Sequence, residues 1–168
     1  MRKTKVTCFR YHRYNDVYVS NVAFSINTLL SILDIFPDQK IIVLIESDAN
    51  DVQTLSSVAK NIGLAEVMSL SNVSSFLMAC SKKELLCLLN LVDMNDFEGM
   101  FIANISNDII PYAPICSLAR NASAMVKYGT SDVSIAINFP ENQMVISLSK
   151  EKYAMTSIKD RIYNIFAN

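Results

Sequence analysis

Few side chains in this chain of 168 residues are suited to bond-making chemistry. His12 is the only histidine, and it stands in Arg10-Tyr11-His12-Arg13-Tyr14. Two flanking arginines disfavour a charged imidazole there, and the nearest acid that could orient the ring is Asp16. A Ser-His-Asp triad would have to be built on this one residue, which reads instead as a solvated turn histidine. Four cysteines are present, Cys8, Cys80, Cys87 and Cys116. Only Cys80 and Cys87 are near neighbours, and their separation exceeds the spacing of about two to four residues found in zinc knuckles. If helical, they share one face among Leu85, Leu86, Leu88 and Leu89, where small thiols pack as core. No metal ligand set is readable, and free thiols fit a reducing compartment.

Carboxylates form two groupings. Glu46, Asp48 and Asp51 follow an apolar run and could in principle gather as the paired acids of a hydrolase. Their placement reads more simply as the end of a strand and the start of a helix. Asp93, Asp96 and Glu98 lie in Asp93-Met94-Asn95-Asp96-Phe97-Glu98-Gly99, which breaks the surrounding apolar pattern. That segment reads as a linker and as a candidate contact for a protein partner. The three glycines, Gly63, Gly99 and Gly129, stand far apart. A phosphate-cradling loop needs glycines in a cluster, so that several N–H groups can converge on one anion. Walker A, Rossmann and kinase loops are therefore excluded, and neither an enzyme activity nor a cofactor is expected.

The elements that would position these residues follow from periodicity. Val6 to Tyr11 and Val17 to Val22 are β-prone arms about a turn, a hairpin. Val22, Ile26, Leu29, Leu30 and Leu33 recur at helical spacing, predicting a helix over about 21–35 that stops before Pro37. Lys40 to Ile45 is a continuous apolar run, the mark of a central strand covered on both faces. Asn50 is a candidate cap for a helix carrying Val52, Leu55, Val58 and Ile62, with Gly63 at its left-handed end. A short strand near 65–70 and an extended Phe76 to Cys80 come next. Ser81 and Glu84 then have the spacing of a capping box ahead of a helix over 85–92. Met100 to Ile105 reads as a strand, and a helix begins near Pro114. Val133, Ile135 and Ile137 alternate with polar or small residues, as do Met144, Ile146 and Leu148, giving a second hairpin. Ile158, Ile162, Ile165 and Phe166 mark a last helix. The division near 93–99 predicts two small mixed α/β domains, residues 1–93 and 99–168.

Hydrophobic residues make up 51% of the chain and charged residues 18%, so a core is affordable and disorder is excluded. Charge is uneven: from Asp34 to Asp108 eleven acids face four bases, while the flanks hold five acids and eleven bases. Arg2, Lys3, Lys5, Arg10 and Arg13, with Lys150, Lys152, Lys159 and Arg161, could face an anionic surface. A pI near 5.8 argues against nucleic acid as the partner. No apolar stretch has the length of a membrane span or a signal peptide, so the chain is expected to be soluble as given.

Two resemblances bear on function. The segment Ser106-Asn107-Asp108-Ile109-Ile110-Pro111, then a helix, then Asp132 to Asn138, a turn, Met144 to Leu148 and a closing helix, resembles the second domain of actin-like platform proteins of type IV pilus and type II secretion machines. The opening hairpin and Phe76 to Val92 resemble the first domain. The glycine motif of that family's phosphate hairpin is missing from Val133 to Leu148. What the resemblance implies is a degenerate actin-like, ribonuclease-H-like arrangement. It further implies a non-catalytic scaffold, of the kind found as the cytoplasmic domain of bundle-forming pilus components. Such a domain docks a secretion-type assembly ATPase and an inner-membrane protein, with a membrane segment beyond Asn168 and a home at the cytoplasmic face of the bacterial inner membrane. Val6 to Arg10, the following helix and Lys40 to Asp48 are also similar in order to the start of MinD and ParA ATPases. There too the lysine-glycine loop is replaced, by His12 to Asp16, which implies a pseudo-ATPase.

Overall fold

The computed structural model describes residues 6–9, 15–21, 25–35, 41–64, 66–70, 75–104, 133–149 and 155–167. His12, Cys116, Gly129 and the helix expected near Pro114 lie outside them. The described elements are β1 (Val6–Phe9), β2 (Asn15–Asn21), α1 (Ile26–Leu33), β3 (Ile41–Ser47), α2 (Ala49–Asn61), β4 (Glu66–Leu70), β5 (Ser75–Cys80), α3 (Lys82–Leu89), a 3-10 turn (Met94–Asp96), β6 (Phe97–Asn104), β7 (Val133–Asn138), β8 (Gln143–Ser149) and α4 (Met155–Ala167). This is a mixed α/β chain built on one antiparallel sheet, with strand order β1-β2-β8-β7-β6-β3-β5-β4.

Strand β3, which holds the apolar run, is interior, as its composition predicts. It pairs with β5 on one side and β6 on the other. Both hairpins also form, β1 against β2 and β7 against β8. Residues opposite one another line up across many strands, so Tyr18, Ile146, Ile135, Ile102, Val43 and Met78 form one continuous row. Because strand side chains alternate between faces, this row and its alternates present a single apolar face. Each of the four described helices buries side chains against it: Leu29, Ile32 and Leu33 from α1, Val52 and Leu55 from α2, Leu85 and Leu88 from α3, Ile162 and Phe166 from α4. Leu44, Leu77, Phe101, Ala136 and Val145, on the opposite face, are buried as well. That is why β7 shows no exposed residue although its sequence alternates.

The division into domains 1–93 and 99–168 is corrected by the hydrogen bonding. β3 and β5 of the first segment continue through β6 into β7 and β8 of the second, and β8 returns to β2 of the first. The segment 93–99 is no linker, since Phe97 to Gly99 already belong to β6. Helix packing repeats the pattern: α4 packs on α1. Tyr163 meets Tyr18 edge-on at 6.4 Å between ring centroids.

Several local starts and stops differ from expectation, among them α3, which spans Lys82–Leu89 and not 85–92. α1 begins after Ser25, whose Oγ accepts from the Thr28 N–H at 3.1 Å, because Asn21 is held in the sheet opposite Gln143. The cap of α2 is Asp48 instead of Asn50: its Oδ1 accepts from the N–H groups of Asn50 (2.8 Å) and Asp51 (3.1 Å). Cys80 ends a strand and is buried, while Cys87 is exposed on α3, so the two do not share a packed helical face. Elsewhere the local chemistry is as expected. Gly63 takes φ +77, with its N–H on Lys60 and the Leu64 N–H on Ala59, the Schellman ending that a side-chain-free residue allows. Ser81 and Glu84 form the reciprocal capping box. Among the described residues no helix is long and apolar enough to cross a membrane.

Candidate functional site: an acidic corner beside a small pocket

The two carboxylate groupings, far apart in sequence, meet at one end of the β3–β6 pair. Their junction is Ser47, a residue that carried no signal in the sequence. It is the last residue of β3, only 2% exposed, and its Oγ donates to the Asp96 carbonyl oxygen at 2.6 Å. The same hydroxyl lies 3.2 Å from Asp51 Oδ2. A hydroxyl has one proton, so the shorter contact takes it at any instant and the carboxylate shares it. Asp48 stands one residue on, capping α2, and Asp51 sits in that helix's first turn. Both placements are favourable, since the helix N-terminus carries partial positive charge.

On the other side, Asp93 caps the 3-10 turn, its Oδ1 accepting from the Asn95 backbone N–H and from Asn95 Nδ2, each at 2.9 Å. Asp96 and Glu98 follow, both exposed. Glu98 is the extra residue of a β-bulge: Glu46 faces Gly99 and Ser47 faces Phe97, so Glu98 faces neither. Of the residues proposed for partner contact, Asp93, Asp96 and Glu98 all lie at this corner, and the fold brings Asp48 and Asp51 to them. Glu46, half-buried, lies in β3 directly before the junction.

Like charges crowded together raise the cost of ionising one more. Asp96 shows this: its carboxyl is held above the ordinary 3.8, by loss of hydration and by the charges of Asp51, Asp93 and Asp48. Because Asp96 is exposed, we give the three charges the greater weight. Among the described residues, no three acidic, cysteine or histidine side chains are placed to hold a metal ion.

Next to the corner is a pocket of about 200 Å³ lined by Met94, Asn95, Phe97, Phe139, Pro140 and Asn142. One wall is the 3-10 turn and the start of β6, and the other is the β7–β8 turn. The walls are tied: the Phe139 N–H donates to the Glu98 carbonyl at 3.2 Å, and the rings of Phe97 and Phe139 meet edge-on at 5.9 Å. Pro140 presets the turn, which closes through the Asn142 N–H on the Phe139 carbonyl at 3.1 Å, with Asn142 left-handed at φ 50. Segments 46–51, 93–98 and 139–142 together contain seven acids and no lysine, arginine or histidine. What this arrangement can do is attract cationic groups. Compared with protein family models, with curated proteins and with solved structures, the chain matches none.

Proposed function

We propose that this chain is a non-catalytic docking domain that receives a partner protein at the acidic corner. The observation that carries the proposal is Ser47, which ties the 46–51 and 93–98 segments into one fixed, negatively charged surface. Fixed charge of one sign steers and orients a complementary partner, and it acts best on elements that do not have to be ordered on binding. The corner has those properties, since Asp48 and Asp93 are held as caps and Glu98 in a bulge.

In its specific form the proposal places the domain at the cytoplasmic face of a bacterial inner membrane. There it would link a secretion-type assembly ATPase to a membrane protein in pilus biogenesis or type II secretion. The actin-like arrangement belongs to that specific form. Its support is the resemblance of the hairpin-and-helix order over 132–166, while the docking proposal itself rests on the corner.

Calorimetric titration of the chain with the cytoplasmic domain of an assembly ATPase tests it. Micromolar binding is expected, weakened when Asp93 and Asp96 are both changed to asparagine. Absence of binding, or binding indifferent to that double substitution, would count against the proposal.

A further inference from the structure

We infer that the open edge of β4 is where a second copy of this chain joins, its own β4 running antiparallel about a two-fold axis at Met68, so that two sheets continue as one. This association goes beyond the docking proposal and does not rest on it. β4 ends the strand order and pairs on one side only, with β5, in an unbroken register from Glu66 opposite Ala79 to Leu70 opposite Ser75. Its other side has no strand among the described residues, and a row of main-chain N–H and C=O groups is the template on which another strand adds. Natural edges are commonly guarded by lysine, proline or a bulge. β1, at the other end of the sheet, has Lys5 before it and Arg10 after it, whereas Glu66-Val67-Met68-Ser69-Leu70 contains no base and no proline.

Two-fold symmetry suits the one charge on the strand. About Met68, Glu66 of one copy faces Leu70 of the other, and Val67 faces Ser69. The two Glu66 residues then stand about 13 Å apart along the seam, beyond the screening length of about 8 Å at physiological salt. The neighbouring helix fits as well. α2 lies over β4 and β5. With strands about 4.8 Å apart, a helix midway over that pair is set about 10 Å from its copy, a distance at which helices pack. Asp51 reaches inward to Ser47 of β3. By helical spacing Ala49, Gln53, Ser56 and Lys60 lie on the other flank of the buried Val52, Leu55 and Ala59, towards the open edge. That flank carries one charge and no bulky apolar group. The same axis runs the two helices antiparallel and turns Lys60 of each towards the N-terminal end of the other, where the exposed Asp48 is the cap.

One strand pair and one helix flank per copy make a small interface, so the dimer is reversible, with a Kd on the order of 100 μM. Sedimentation equilibrium of the whole chain tests it. The mass is expected to rise from 18.8 kDa towards twice that value as the concentration goes from about 10 μM to about 1 mM. Ser56→Arg, which puts a long cation on the helix flank, is expected to weaken the dimer about tenfold with an unchanged melting temperature in dilute solution. Cross-linking reads the register. Residues opposite one another across antiparallel strands have Cα atoms about 4.5–5.5 Å apart, within disulfide reach, so Met68→Cys on the axis is expected to give an oxidised dimer. The parent for this test is Cys87→Ser, which removes an exposed thiol, and the control is Asp160→Cys, at an exposed position on α4. A mass that stays at 18.8 kDa throughout the range would overturn the inference. So would a dimer that Ser56→Arg leaves intact and that cross-links at Met68→Cys no better than at Asp160→Cys.

Discussion

Ser47 and Asp96, 49 residues apart in sequence, are joined by a hydrogen bond of 2.6 Å from a buried hydroxyl to a backbone carbonyl. Through it the end of a central strand fixes the start of its neighbour, and with them the two acidic segments. Ser47→Ala leaves that carbonyl without its donor at a part-buried junction. A loss of about 1–3 kcal/mol in denaturant stability is expected. A change below about 0.3 kcal/mol would mean that the junction is not held this way.

Ser134 makes the opposite case. It is fully buried in β7, and among the described residues its Oγ has no hydrogen-bond partner. Removing an unsatisfied buried hydroxyl removes its desolvation cost, so Ser134→Ala is expected to stabilise the chain, by about 1 kcal/mol. Clear destabilisation in the same denaturation assay would show that the hydroxyl has a partner.

The shared sheet predicts that segments 1–93 and 99–168, produced separately, do not fold. Each would expose an interior strand, β3 or β6, along its whole hydrogen-bonding edge. The whole chain should lose secondary structure and near-ultraviolet signal in one coincident transition. Two separated transitions, or a folded fragment, would restore the two-domain reading.

The thiols should behave unequally. Burial, together with the nearby Glu84 charge, pushes the Cys80 thiol up from 9.0 to about 12, whereas Cys87 is exposed. Alkylation near pH 8 followed by peptide mapping should label Cys87 rapidly and Cys80 only on unfolding. The folded chain keeps the Cys80 proton at pH values where the unfolded chain has released it. Its contribution is therefore intact below pH 9.0 and is lost as pH rises towards about 12. Replacing Cys80 with alanine should flatten that part of the alkaline stability curve; an unchanged slope would contradict the assignment.

What the sequence disclosed was local. The apolar run into β3, the Ser81–Glu84 box, the Gly63 helix ending and both hairpins rest on neighbouring residues, and all were legible. The β3–β6 pairing was not, because β6 opens with Phe97-Glu98-Gly99 and hides an acid in a bulge, which reads as polar linker. For helix α2 the sequence points to Asn50 as the cap, and only the backbone shows that Asp48 is used. The acids of the corner were legible as two groupings with different meanings. Their union was hidden because it depends on Ser47, a single serine at a strand end with no periodic signature.

Carbon-detected NMR titration of the Asp96 carboxyl, in wild type and in Asp51→Asn, tests most directly whether those acids share one corner. A wild-type midpoint above 3.8 that moves down when Asp51 loses its charge is the result this account predicts. A midpoint at or below 3.8, unmoved by the substitution, would contradict it.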